Sequence, residues 1–203
     1  MPEQYLEAMV LLIFAYLLGS IPFGLVLARI FVRVDLRSLG SGNIGATNAK
    51  RAGGWGLGLA TLAADMAKGA APVWIASILY NNTGSGEIIC ALAAISAFLG
   101  HLYPVYLGFR TGGKGVAIAA GAFAVISPAA LLTSLAGFFV PVLIFRRVSA
   151  GSLAAAVILP AAVFFTCQPR AFFICALVIS AFIIWRHREN IRRLIEGKEP
   201  PLW

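Results

Sequence analysis

The sequence predicts an all-α, polytopic integral membrane protein of about seven transmembrane helices, with its N-terminus outside and its C-terminus in the cytoplasm. Three observations carry this. Of 203 residues, 60% are hydrophobic and only 12% are charged, and the mean hydropathy is +0.89. A soluble domain carries about 25% charged residues, so too few remain here to solvate a water-facing surface. The apolar residues also run in stretches near the roughly twenty that cross a bilayer core as a helix. Finally, the surplus of eight positive charges collects in alternate loops, as the positive-inside rule requires. The composition excludes a soluble enzyme, a disordered chain and a soluble nucleic-acid binder.

Residues 5–32 form the first expected span, interrupted by Gly19-Ser20-Ile21-Pro22-Phe23-Gly24. Glu3 and Glu7 precede it without a basic residue, so it lacks the positive region of a signal peptide and reads as a retained span. Residues 55–80 and 88–107 are the second and third spans. Between them lie a long Gly/Asn/Arg-rich loop (33–54) and a short uncharged one (81–86). The apolar run 115–145 is long for one span and short for two, and Ser127-Pro128 is the expected turn within it. Residues 153–167 and 171–185 complete the set.

Charge placement decides between six and seven spans. With seven, one side holds Arg33, Arg37, Lys50 and Arg51, then Arg110 and Lys114, then Arg146 and Arg147, and finally Arg186, Arg188, Arg192, Arg193 and Lys198. Among the loop cations only Arg170 falls on the other side. Six spans would put the basic C-terminal tail beside the acidic N-terminus. Arg33, Arg146 and Arg147 read as orientation charges alone. Trp55, Trp74 and Trp185, near span ends, read as interfacial anchors. Cys90, Cys167 and Cys175 lie singly in apolar runs, which argues against a disulfide framework or a zinc site.

The polar residues collect in three places on the cytoplasmic side. The loop Asp35-Leu-Arg-Ser-Leu-Gly-Ser-Gly-Asn-Ile-Gly-Ala-Thr-Asn-Ala-Lys-Arg51 holds Gly40, Gly42 and Gly45, which allow positive φ and bring bare N–H groups close to a ligand. Ser41, Asn43, Thr47 and Asn48 add short donors, and Arg51 adds a permanently charged fork. Successive N–H groups in such a loop make an anion nest suited to phosphate. The second place, Arg110-Thr-Gly-Gly-Lys-Gly-Val116, repeats glycines beside a lysine and opens a helix, whose N-terminus attracts anions. It is not a P-loop, because Gly115 stands where G-x-x-x-x-G-K-S/T needs a hydroxyl residue. The third is Arg186-His187-Arg188-Glu189-Asn190 at the end of the last span.

His101 reads equally as a packing or a site residue. Asp65 and Lys68 share a helix face and read equally as a self-neutralised pair or as ligand contacts. No H-x-x-x-x-D, nucleophile elbow or metal motif occurs, because Tyr106 and Arg192 stand five residues beyond the two histidines. No metal and no cofactor is expected.

In order along the chain come Gly19-Ser-Ile-Pro-Phe-Gly24, Gly40-Ser-Gly-Asn-Ile-Gly-Ala-Thr-Asn-Ala-Lys-Arg51, Asp65-x-x-Lys-Gly69, Gly100-His101 with Pro104, Gly112-Gly-Lys-Gly-Val-Ala117 and His187-Arg-Glu-Asn-Ile191. Together they resemble the bacterial acyl-phosphate:glycerol-3-phosphate acyltransferases, the PlsY family, over nearly the whole chain as a single domain, 1–203. Two departures stand out: Thr111 separates Arg110 from Gly112, and Ile118 replaces the threonine that commonly follows Gly-Val-Ala.

The resemblance implies transfer of an acyl group from acyl phosphate to the 1-hydroxyl of sn-glycerol 3-phosphate at the cytoplasmic face of the inner membrane. It implies substrate binding by Gly40, Gly42, Asn43, Gly45, Thr47, Asn48, Arg51, Gly113, Lys114, Gly115 and Arg188, with Ser41, His187 and Asn190 in catalytic roles. Ser41 and the Gly40–Gly45 amides would hold the acyl phosphate; Arg51, Lys114 and His187 would hold glycerol 3-phosphate. The expected partners are these two substrates and membrane lipid, without nucleic acid, together with functional coupling to an enzyme that forms acyl phosphate. The alternative is a transporter for a phosphorylated metabolite. It needs repeat symmetry with paired broken helices, and the break at Gly19–Gly24 has no counterpart in the C-terminal half.

Overall fold

A computed structural model describes residues 2–110, 112–166 and 168–202. Every regular element among them is helical: α1 Pro2–Ser20, α2 Phe23–Phe31, α3 Ala46–Leu79, α4 Gly86–Leu102, α5 Val116–Ile126, α6 Pro128–Phe145, α7 Val148–Phe165, α8 Arg170–Arg186 and α9 Arg188–Ile195, with short 3₁₀ turns at Leu36–Ser38 and Val105–Leu107. The chain falls into two compact units, Met1–Val125 and Ile126–Trp203.

In the first unit, the expected interruption separates α1 from α2 at Ile21-Pro22. Proline lacks the N–H that a continuous helix needs and disfavours helical backbone at the residue before it. The helix restarts one residue later, where the Val26 N–H donates to the Pro22 carbonyl (3.0 Å). α4 packs on both α1 and α3, and α2 packs on α3. The α1–α4 crossing is close because Gly19 meets the Ala97 backbone and Gly100 meets the Tyr16 carbonyl, leaving no room for a Cβ at either. Small residues at a crossing are how lipid-embedded helices gain van der Waals contact where burial alone offers little. Leu25, Ala28, Leu36, Ile44, Ala49 and Leu57 form a buried cluster beneath the first glycine loop.

The boundaries differ from expectation most at α3. The second span was expected to begin near residue 55, yet α3 starts at Ala46, directly after Gly45, and bends at Gly53-Gly54, where Gly54 adopts φ 79°. Ala46 to Ala52 is therefore a separate helical arm, and Thr47, Asn48 and Arg51 stand on helix rather than in a loop. The kink masks this in sequence, because a glycine pair reads as loop.

In the second unit, α7 packs against both α6 and α8. The Ser127-Pro128 turn occurs as expected, with the Ser127 hydroxyl capping α6 by accepting from the Ala130 N–H (3.4 Å). α8 and α9 meet at His187 with a bend of 56°.

Among the described residues, five helical segments are long and apolar enough to cross a membrane, counting α1 and α2 as one. The bent pair α8–α9 makes a sixth. α5, with 11 residues, spans about 16 Å, well short of a hydrocarbon core of about 30 Å. Cys90 and Cys175 are buried free thiols, as expected, while Cys167 and Thr111 lie outside the described residues.

Candidate active site

The first glycine loop is built around two side chains. Asp35 accepts from the Arg37 backbone N–H (3.0 Å), from the Arg37 guanidinium (2.6 and 2.9 Å) and from Arg29 (2.9 Å). The Arg37 guanidinium, helped by its N–H and by Arg29, holds the Asp35 carboxyl well below the usual carboxylate range. Asn48, buried at the start of α3, donates its amide to the carbonyls of Leu36 (2.9 Å), Leu39 (3.0 Å) and Asn43 (2.9 Å), and its oxygen accepts from the Ser41 N–H (3.3 Å). Its amide thus braces the loop backbone. Asn43 is similarly engaged, its oxygen accepting from the Gly45 N–H (2.9 Å).

What this clamp leaves at the surface is Ser41, flanked by Gly40 and Gly42 with φ of 54° and 66°. Two glycines in the left-handed region turn the chain sharply on either side of the serine, where the Ser41 N–H donates to Asn48 and the Gly42 N–H donates to the Leu39 carbonyl (2.9 Å). Arg51 is exposed, and its Cδ lies 3.8 Å from where a Gly40 Cβ would stand, so the guanidinium stem borders the loop. Thr47 is half-buried in the first turn of α3. Lys50, one residue before Arg51, lies over the Trp55 ring at 4.5 Å.

The second glycine loop lies on the last turn of α4. The Gly113 N–H donates to the His101 carbonyl (3.0 Å), and a Cβ at Gly113 would overlap the His101 ring. Gly115 has φ 90°, and its carbonyl accepts the first α5 hydrogen bond, from Ala119 N–H (2.9 Å). Half-buried Lys114 thus sits at the mouth of a helix N-terminus, where unpaired amides and the helix dipole favour an anion.

In the second unit, His187 is buried at the α8–α9 bend, with Nδ1 2.8 Å from the Ile183 carbonyl. A carbonyl only accepts, so the proton lies on Nδ1, and in the neutral ring the lone pair lies on Nε2. Asn190, three residues on, is also buried and donates to Glu199 Oε1 (2.6 Å). Glu199 further accepts from the Ser149 hydroxyl (2.7 Å) and from Arg193 (2.7 Å). Burial pushes its carboxyl up, but the bonds from Ser149, Asn190 and Arg193 outweigh burial and leave it below its ordinary value. Arg147, expected only to set orientation, donates to the Glu199 carbonyl (2.9 Å). Sequence reasoning missed both Glu199 and Ser149. The one available signal was a glutamate two residues past the helix-stopping Gly197. Arg188 is exposed over the Trp185 ring at 5.2 Å.

Apolar helices of spanning length, with glycine–cation loops at their ends, define a multi-pass integral membrane protein. The glycerol-3-phosphate acyltransferase family model matches residues 9–197. A glycerol-3-phosphate acyltransferase of Anaeromyxobacter sp. (strain K) is 48% identical over 185 residues, covering 91% of this chain and 92% of that one. One from Syntrophotalea carbinolica is 47% identical over 190 residues, covering 94% and 95%. The crystal structure of PlsY, an integral membrane glycerol 3-phosphate acyltransferase, matches in its glycerol 3-phosphate form with a TM-score of 0.89 and 43% identity, covering 96% of this chain and 95% of that one. Its lysophosphatidic acid form matches with a TM-score of 0.86 and 41% identity over the same shares. The chain belongs to the glycerol-3-phosphate acyltransferase family.

Proposed function

We propose that the chain transfers an acyl group from acyl phosphate to the 1-hydroxyl of sn-glycerol 3-phosphate, releasing lysophosphatidic acid and phosphate. The observation that carries this is the likeness, at 43% identity and over 96% of the chain, to a PlsY structure in its glycerol 3-phosphate form. The family match from residue 9 to 197 crosses both compact units, which supports one functional domain over the whole chain. Seven spans with the N-terminus outside follow from the charge distribution, with α5 crossing only part of the bilayer. The same distribution supports a cytoplasmic position for the glycine loops and His187, and the resemblance to the bacterial family supports the inner membrane.

The hydroxyl oxygen of glycerol 3-phosphate attacks the acyl carbon, the bond from that carbon to the phosphate oxygen breaks, and phosphate leaves. The hydroxyl proton passes to a phosphate oxygen of the substrate or to Nε2 of His187. Acyl phosphate is a mixed anhydride with a good leaving group, so positioning and charge stabilisation supply much of the rate. The Ser41 hydroxyl and the Gly40 amide stabilise the departing phosphate, while Gly42 and Gly45, whose N–H groups donate to the Leu39 carbonyl and to Asn43 Oδ1, shape the loop around them. Arg51, Lys114 and His187, with Arg188, bind glycerol 3-phosphate, with Gly113 and Gly115 supplying close backbone and Thr47 a hydroxyl. Asn43 and Asn48 shape the first loop, and Asn190 orients the acceptor. An enzyme that makes acyl phosphate is the natural functional partner, since this donor must be supplied at the same membrane face.

The test is phosphate release by the purified protein in lipid, given palmitoyl phosphate with and without glycerol 3-phosphate. Release that depends on glycerol 3-phosphate supports the reading. Release independent of it, or none, rejects it.

A further inference from the structure

Among the buried groups that the proposed chemistry does not use, one cluster joins two motifs of the first unit. Asp65, Lys68 and His101 are 2%, 2% and 3% exposed. Lys68 Nζ lies 2.8 Å from Asp65 Oδ1 and donates to the Ile21 carbonyl (2.7 Å) at the break between α1 and α2. The same Asp65 oxygen lies 3.8 Å from His101 Nδ1. Beyond the ring stands Gly113, whose missing Cβ leaves the space that the far edge of the imidazole fills.

The contact is one of a set. Gly112 meets the Leu102 carbonyl, Gly113 meets the His101 ring and carbonyl, and Gly115 meets the Phe98 ring. Residues 98, 101 and 102 share one face of α4 by their three- and four-residue spacing. The loop therefore lies in register along that last turn, with His101 at its centre and Lys114 as the one residue of Gly112–Gly115 with a side chain. Ionisable groups this deep in a membrane protein are costly. Asp65 and Lys68 would neutralise one another without a histidine, so the third member calls for a role of its own.

We propose that His101, steadied by the Asp65–Lys68 pair, is a positioning residue for the Gly112–Gly115 loop and sets where Lys114 presents its ammonium to glycerol 3-phosphate. It acts through the loop and does not touch the substrate. The substrate identity rests on the reading in the preceding section; the positioning itself does not.

Two measurements on the full-length protein in lipid separate these. The first is steady-state kinetics. His101→Ala is expected to raise KM for glycerol 3-phosphate by at least about tenfold, with kcat and the palmitoyl phosphate KM changed by less than about threefold, because misplacing one binding group weakens acceptor binding alone. His101→Gln, which keeps a hydrogen-bonding group of similar reach, should recover most of the loss. His101→Ala combined with Lys114→Ala should be no worse than Lys114→Ala alone. The second is hydrogen exchange of the Gly112–Gly115 amides, expected to quicken in His101→Ala. Should His101→Ala not fold, His101→Asn, whose shorter side chain stops short of the loop, carries the same expectations.

A fall in kcat or Tm with unchanged KM, or equal losses for both substrates, overturns the proposal, as does unchanged loop exchange. A wild-type protein without glycerol-3-phosphate-dependent release overturns only the functional reading, and the exchange measurement then decides the positioning role by itself.

Discussion

Asn48 and Asp35 brace the loop that carries Ser41. An amide whose donors reach three loop carbonyls holds the loop and its left-handed glycines in place, so on the proposed reading a phosphate meets a preformed loop and does not bear the entropy of ordering it. Substitutions should divide by this logic. Arg51→Ala and Lys114→Ala are expected to raise KM for glycerol 3-phosphate about tenfold or more, since each removes a charge contact made before the transition state. Ser41→Ala should lower kcat instead. If His187 is the base, the rate falls as the imidazole becomes protonated and the profile flattens in His187→Gln; an unchanged profile assigns the proton to the substrate phosphate.

Glu199 offers a second residue-scale test. Its carboxylate joins α7, α9 and the C-terminal tail, and its proton affinity is lowered on folding. A depressed folded value contributes stability that is complete above the unfolded glutamate value of about 4.3 and is lost as pH falls through the folded value. Glu199→Gln should therefore reduce Tm at neutral pH, with the deficit shrinking toward zero as pH falls through that window. Partly buried charge-assisted bonds of this kind are worth about 1–3 kcal/mol each. Thermal scans at several pH values would read this directly.

At the scale of elements, helix contact in this chain depends on absent side chains. Lipid is as apolar as leucine, so association comes from close packing, and Gly19 and Gly100 let α1 and α4 approach until backbone meets backbone. Gly100→Val puts methyl groups against the Tyr16 carbonyl and should destabilise by about 1–3 kcal/mol, seen as a lower Tm in detergent. The same crossing lies directly beside His101, so a shift of α4 should also raise the glycerol 3-phosphate KM. The Gly53-Gly54 kink has the complementary use of turning one helix into two. It carries Arg51 on an arm distinct from the lipid-spanning part of α3.

For the whole molecule, the proposed reading gives the cationic loops two tasks, orienting the chain in the bilayer and presenting its phosphate-binding groups. Single cysteines introduced beside Arg51, Lys114 or Lys198, in a background without the three native thiols, should react with an impermeant thiol reagent only from the cytoplasmic side. One introduced in the loop at residues 81–86 should react only from outside. The opposite labelling pattern would invert the proposed topology.

How much of this was legible from residues follows a physical division. Hydropathy and charge act locally and one-dimensionally, so the apolar helices, the Ile21-Pro22 break, the Ser127-Pro128 turn and the glycine–cation loops were all readable. Gly53-Gly54 misled because a glycine pair signals loop whether or not a helix resumes beyond it. Glu199, Arg147 and Ser149 could not be found, because their bonds join positions about fifty residues apart and no local pattern records such a closure. His101 was legible as a packing or a site residue, but its approach to Asp65 and Gly113 was not. Sequence alone determined that this chain enters a membrane and which segments could hold phosphate, since both depend on composition within a window. Only the tertiary structure decided which polar residues brace those segments, because a hydrogen-bonding group is engaged by neighbours that folding brings to it from distant parts of the chain.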